Sequence, residues 1–179
     1  MELQNDKIKI YIFSIVLTTI LYVTESLIPK PFPWIRIGLS NIIFMLLLKK
    51  NEMNLSEIYL ILLFRNILSS VTTGTLISPL FIISLISSAG SILAMYIFFK
   101  ILKDNVSFIS VSVIGAVVNI IIQLLTGSLI IFQNTVLLKM SPYFLMFAAV
   151  SGIITGIITN KLFNKLVEKK FSLLVSQKI

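Results

Sequence analysis

Between Asn66 and Phe99 the chain reads NILSSVTTGTLISPLFIISLISSAGSILAMYIFF, without one charged side chain. A soluble domain carries about 25% charged residues, so an uncharged run of this length has no place on a water-exposed surface. It also exceeds the roughly 20 residues that one helix needs to cross a bilayer, and it contains its own interruption. Thr72-Thr73-Gly74-Thr75 and Ser78-Pro79 supply a turn, and proline is favoured in the first turn of a helix. The stretch therefore predicts the end of one spanning helix, a short turn and a second helix beginning near Pro79.

The rest of the chain extends this pattern. Of its 179 residues 57% are apolar and 12% charged, with a mean hydropathy of +1.03. A chain this short cannot bury such an excess in water, since a soluble domain of about 150 residues hides only about 70% of its surface. That excludes a soluble enzyme, a nucleic-acid-binding domain and a disordered tail. The apolar runs are long and continuous rather than alternating over about ten residues, so the expectation is an all-α polytopic bundle and not a β-barrel. Charges and breakers delimit six hydrophobic segments at about 8–28, 35–48, 55–73, 79–99, 106–131 and 142–163, in one integral membrane domain over 1–179. The segment at 35–48 is short for a span. Lys7 and Lys9 precede the first segment as in a signal peptide. No Ala-x-Ala-like cleavage site follows, which predicts a retained helix.

Basic residues alternate in density. The N-terminus, the loops near 49–54 and 100–105 and the C-terminal tail hold Lys7, Lys9, Lys49, Lys50, Lys100, Lys103, Lys161, Lys165, Lys169, Lys170 and Lys178. The intervening loops hold only Lys30, Arg36 and Lys139, and Arg65 falls within a span. Lys and Arg collect on the cytoplasmic side of membrane proteins, so both termini are expected there, which requires an even number of crossings. The net charge of +8 is read as this topology signal rather than as a nucleic-acid surface. Cysteine and histidine are absent. No disulfide, no thiolate or imidazole metal site and no Cys–His or Ser–His nucleophile can be built, and no metal or other cofactor is expected.

Lipid gives apolar side chains no reason to cluster, so small and polar stripes mark packed faces. Gly115, Asn119, Gln123 and Gly127 recur at four-residue steps, and Gly152 and Gly156 form a Gly-x-x-x-Gly pair. The glycines predict close helix packing. Asn119 and Gln123 either bridge helices or line a polar cavity and hold a ligand. Ionisable groups inside a span are expensive and face partners or water-filled cavities. Arg65 is one, about 15 Å along its helix at 1.5 Å per residue. Glu25 lies near the outer end of the first segment and Arg36 at the outer boundary. Glu25 either neutralises Arg65 or Arg36 as a structural pair or orients them as an anion site, since two arginines against one carboxylate leave a donor fork over. Pro29, Pro31 and Pro33, followed by Trp34, cannot be helical. They form either a plain interfacial turn or a lid over the mouth of the bundle.

Glu25-Ser26-Leu27-Ile28-Pro29, Pro33-Trp34 and Arg36-x-Gly38-Leu39-Ser40-Asn41 resemble the opening signature of the bacterial Gx transporter family, also catalogued as heptaprenyl diphosphate synthase component I. Arg65 with Thr73-Gly74, Ser87-Ser88-Ala89-Gly90-Ser91, Gly115-Ala116 with Asn119 and Gln123, Pro142-Tyr143, and Ser151-Gly152 with Thr155-Gly156 extend the resemblance over nearly the whole chain. It implies a six-helix fold similar to the S components of energy-coupling factor transporters, in a bacterial cytoplasmic membrane. The family typically has a histidine before the asparagine matching Asn119; here Val118 stands there. The synthase label does not fit the chemistry of the chain. Diphosphate-bound Mg²⁺ needs clustered carboxylates, whereas Glu2, Asp6, Glu25, Glu52, Glu57, Asp104 and Glu168 form no Asp-Asp-x-x-Asp array, and no Walker motif occurs. The expectation is a non-enzymatic transport subunit that binds a small, anionic solute from the outer face. Its binding residues would be Glu25, Arg36, Arg65, Asn119 and Gln123, and its partners an energy-coupling membrane protein and ATPases. The alternative is a membrane anchor or accessory of a redox or prenyl-synthesis assembly. Neither reading involves nucleic acid.

Overall fold

Prolines, glycines and charge clusters set the helix ends, and the apolar runs between them set the lengths. The computed structural model describes residues 2–28, 38–50, 53–102, 106–133 and 136–176, and among these the regular elements are all helical. They are α1 (Glu2–Leu27), α2 (Asn41–Lys50), α3 (Leu55–Thr72), α4 (Pro79–Leu102), α5 (Phe108–Gly127), α6 (Val136–Lys139) and α7 (Ser141–Ser176). A π-helical turn, Ser128–Phe132, prolongs α5 and ends at Gln133, whose φ of 47° is left-handed. Pro79 opens α4 as expected. The turn before it rests on Gly74 at φ 69° and on the Thr75 N–H donating to the Ser70 carbonyl at 2.9 Å.

Five helices are long and apolar enough to cross a membrane: Lys7–Leu27, Leu55–Thr72, Pro79–Leu102, Phe108–Ile131 and Ser141–Leu166. The expected span at 35–48 differs. Residues 35–37 lie outside the described residues, Gly38 to Ser40 form a turn, and helix begins only at Asn41. Ten residues rise about 15 Å, half of a hydrocarbon core. Gly38 explains the late start. Its φ of 88° is open to glycine and strained for other residues, and its carbonyl accepts the Asn41 N–H at 2.9 Å.

The long helices pack in the order α1–α3–α4–α5–α7, and α2 lies against α1, α4, α5 and α7. Six residues of α2 are buried, including Phe44 and Met45 at no exposure, so most of α2 faces the interior of the ring. Around it Ile58, Ile61, Leu62, Ile92, Met95 and Val111 form one apolar cluster; Ile120, Leu124, Leu137, Phe144 and Ala148 form a second. One end of the bundle carries Lys9, Lys50 and Leu166 around a common groove and the rings of Phe99, Phe108 and Phe163, packed edge-to-face and tilted. The early part of α1 and the C-terminal stretches of α2, α4 and α7 therefore meet at the end that also holds the start of α5.

Polarity is inverted relative to a soluble protein. Ile12, Phe13, Phe64, Ile82, Leu125 and Ile154 stand exposed, while Arg65, Glu25, Asn66, Thr18, Ser87 and Ser91 are buried. An apolar exterior of this kind has lipid as its solvent, and polar groups withdraw to the interior where partners exist. The protein is a membrane-embedded helical bundle.

Candidate functional site

The polar interior centres on Arg65, which is 1% exposed, about 15 Å along α3. Its Nη1 donates to Ser40 Oγ at 2.6 Å, and its Nη2 donates to Asn66 Oδ1 and to Ser88 Oγ, each at 3.2 Å. The guanidinium carbon sits 4.6 Å from the centroid of the Tyr22 ring and 5.7 Å from that of Phe44, so aromatic faces supply cation–π attraction where water is excluded. A chain of polar groups continues outward: Ser84 donates to Asn66 Oδ1 at 3.2 Å, and the Tyr22 hydroxyl lies 3.0 Å from Ser84 Oγ.

Glu25, near the end of α1, is 2% exposed. One carboxylate oxygen accepts the Gly38 N–H and the other the Leu39 N–H, both at 2.9 Å. Donors just ahead of a helix are electropositive and unsatisfied by the helix itself. The carboxylate thus clamps the turn that starts α2, and that turn carries Ser40 to Arg65. Glu25 also acts electrostatically on Arg65. The two charges anticipated from the sequence are brought into one cluster, with the backbone of the α2 turn held by Glu25.

Asn119 and Gln123 come from the other side. Ser91 Oγ donates to the Gly115 carbonyl at 2.8 Å, which fixes the antiparallel register of α4 and α5. One and two turns onward along α5 stand Asn119 and Gln123; one and two turns back along α4 stand Ser88 and Ser84, at the depth of the arginine cluster. Gln123 Nε2 donates to Asn119 Oδ1 at 2.9 Å. Three buried atoms at this depth have no hydrogen-bond partner among the described residues: Arg65 Nε, Asn66 Nδ2 and Gln123 Oε1. Leaving a buried polar group unsatisfied costs about 1–3 kcal/mol, so these two donors and one acceptor are the groups that a polar occupant would satisfy.

Other anticipated residues divide. Arg36, Pro29, Pro31, Pro33 and Trp34 lie outside the described residues. Gly152 and Gly156 pack on α5 so closely that a Cβ would come within 2.7 Å of Val113 Cα and 2.5 Å of Ile109 Cα. A Cβ at Gly115 would meet the Met95 side chain at 2.8 Å, whereas at Gly127 nothing lies within 4 Å. The sequence did not place Tyr22, Ser40, Phe44, Asn66, Ser84 or Ser88 in the cluster. Asn66 had a signal, as the amide directly beside Arg65, which lies midway along its span.

The family model described as heptaprenyl diphosphate synthase component I matches residues 15–162, a range that contains every member of this polar cluster. No curated protein and no solved structure matches the chain.

Proposed function

The chain belongs to the heptaprenyl diphosphate synthase component I family, and for this member we propose a transport role: it is the solute-binding membrane subunit of an uptake system. The observation that carries the reading is the group of buried, unsatisfied polar atoms around Arg65, at mid-depth in a bundle whose exterior is apolar. A charged centre in a membrane is expensive to keep and marks substrate pathways more often than stability. The solute we infer carries an anionic or strongly accepting group for Arg65 Nε and Asn66 Nδ2, and a donor for Gln123 Oε1. Ser40, Ser88 and Asn66 already hold the terminal guanidinium nitrogens, so the arginine is positioned before the solute arrives, which lowers the ordering cost of binding. Glu25 fixes the α2 turn and tempers the positive charge, which keeps binding reversible.

In this proposal the chain has no synthase chemistry, because its seven acidic residues form no Mg²⁺-holding array. An energy-coupling membrane protein and ATPases would drive release. The test is untargeted mass spectrometry of small molecules released from protein purified out of its native membrane. An organic anion enriched with wild type and lost from Arg65→Gln is the expected result. Absence of any such molecule, together with co-purification of prenyl-synthesis enzymes, would favour the accessory role that the family's description suggests.

A further inference from the structure

The ring of long helices has a seam. α1 and α7 do not pack along one another; α2 lies between them and forms the floor of a groove of about 480 Å³. Ile10, Phe13, Ile43, Leu46 and Leu166 line it, and Lys9 and Lys50, both exposed, stand at one end. Phe13 is one turn beyond Lys9, and Ile43 is two turns from Lys50. The apolar trough thus runs about 10 Å from the lysines toward the bilayer interior. We propose that this groove is a binding site for an anionic phospholipid of the surrounding leaflet, with its phosphate at Lys9 and Lys50 and one acyl chain along Ile43 and Leu46.

The charge pattern selects this occupant. A volume of this size suits one small amphiphile, and the lining changes from cationic to apolar, Ser14 apart, along the direction in which a lipid changes from headgroup to chain. Lysines flanking a membrane-embedded helix attract anionic headgroups by about 1 kcal/mol each. Lys165 directly precedes the lining Leu166, adding positive charge to the same end. This site is separate from the polar cluster around Arg65 and stands without the transport reading.

Native mass spectrometry tests it on the full chain in a neutral detergent, with palmitoyl-oleoyl phosphatidylglycerol or palmitoyl-oleoyl phosphatidylcholine added. The expected result is retention of one phosphatidylglycerol per chain, preferred over phosphatidylcholine by about tenfold or more from two lysines. Lys9→Gln with Lys50→Gln should abolish the preference and leave phosphatidylcholine retention and melting unchanged. Leu46→Trp, which fills the trough, should lower retention of both lipids. Should the double variant melt early, Lys50→Gln alone gives the same readout. Equal retention of the two lipids by wild type, a preference that survives the lysine changes, or a dimer that retains no lipid would each overturn the proposal.

Discussion

Arg65 and Glu25 are held in place by groups scattered along the chain, and that makes their substitution informative. Removing one member of a buried charge cluster leaves the other uncompensated, at about 3–5 kcal/mol when burial is complete. Glu25→Gln and Arg65→Gln should each lower the detergent melting temperature, and the double variant should lose less than the two losses added together. Strictly additive losses would show that the pair is not coupled. Gly38→Ala should cost about 1–2 kcal/mol from its left-handed φ, with further crowding because its Cβ would lie 3.1 Å from Asn41 Nδ2. That substitution also tilts the turn gripped by Glu25, so solute retention in the mass-spectrometric assay should fall with it. The charged members of the cluster were legible because ionisable groups are rare inside apolar spans. Ser40, Ser84, Ser88 and Tyr22 were not, since membrane serines as often bond their own helix, as Ser87 does to the Ser84 carbonyl. Nothing in residue type tells which kind of serine is which; Tyr22 meets Ser84 only because its long side chain reaches from α1 to α4.

Among the helices, α5 and α7 share the most extensive contact, and two glycines permit their close approach. Gly156→Ala sets a methyl 2.5 Å from Ile109 Cα, a backbone atom that can move only if the helices part. It should destabilise by about 1–3 kcal/mol, the usual cost of overpacking. Gly127→Ala is the control within the same pattern. Open space surrounds its Cβ position, and replacing a helical glycine by alanine gains about 0.5–1 kcal/mol. Melting curves of the two variants should therefore shift in opposite directions. Regular four-residue spacing predicted all these glycines as packing positions, yet spacing reports only a shared face and not whether a neighbour arrives there. The same limit explains the second segment. Its apolar residues were expected to reach across lipid, but apolarity measures exclusion from water and does not distinguish a wall facing lipid from a plug facing protein. Gly38-Leu39-Ser40-Asn41 carried the missing information, because a glycine turn followed by Ser and Asn is how a helix begins.

For the whole molecule, the bias in lysine placement predicts both termini in the cytoplasm, and the gathering of Lys9, Lys50 and Leu166 at one groove supports a common side for them. Cysteines introduced at Lys7 and Lys165 should resist impermeant thiol reagents in intact cells, while one at Lys139 should react; labelling at Lys7 or Lys165 would overturn this topology. The short length of α2 has a consequence for how the protein is made. A helix of ten residues ending in Lys49-Lys50 has too little apolar length to partition into a bilayer alone, and α3 is the least hydropathic of the five long helices, at 1.3, because it carries Arg65. α2 cannot leave the insertion machinery on its own merits and must wait for company. In nascent chains halted before α4 emerges, a cysteine introduced in α2 should still react with aqueous thiol reagents, and in chains long enough to complete α4 it should be shielded. For this one segment membrane integration and tertiary folding are then a single event.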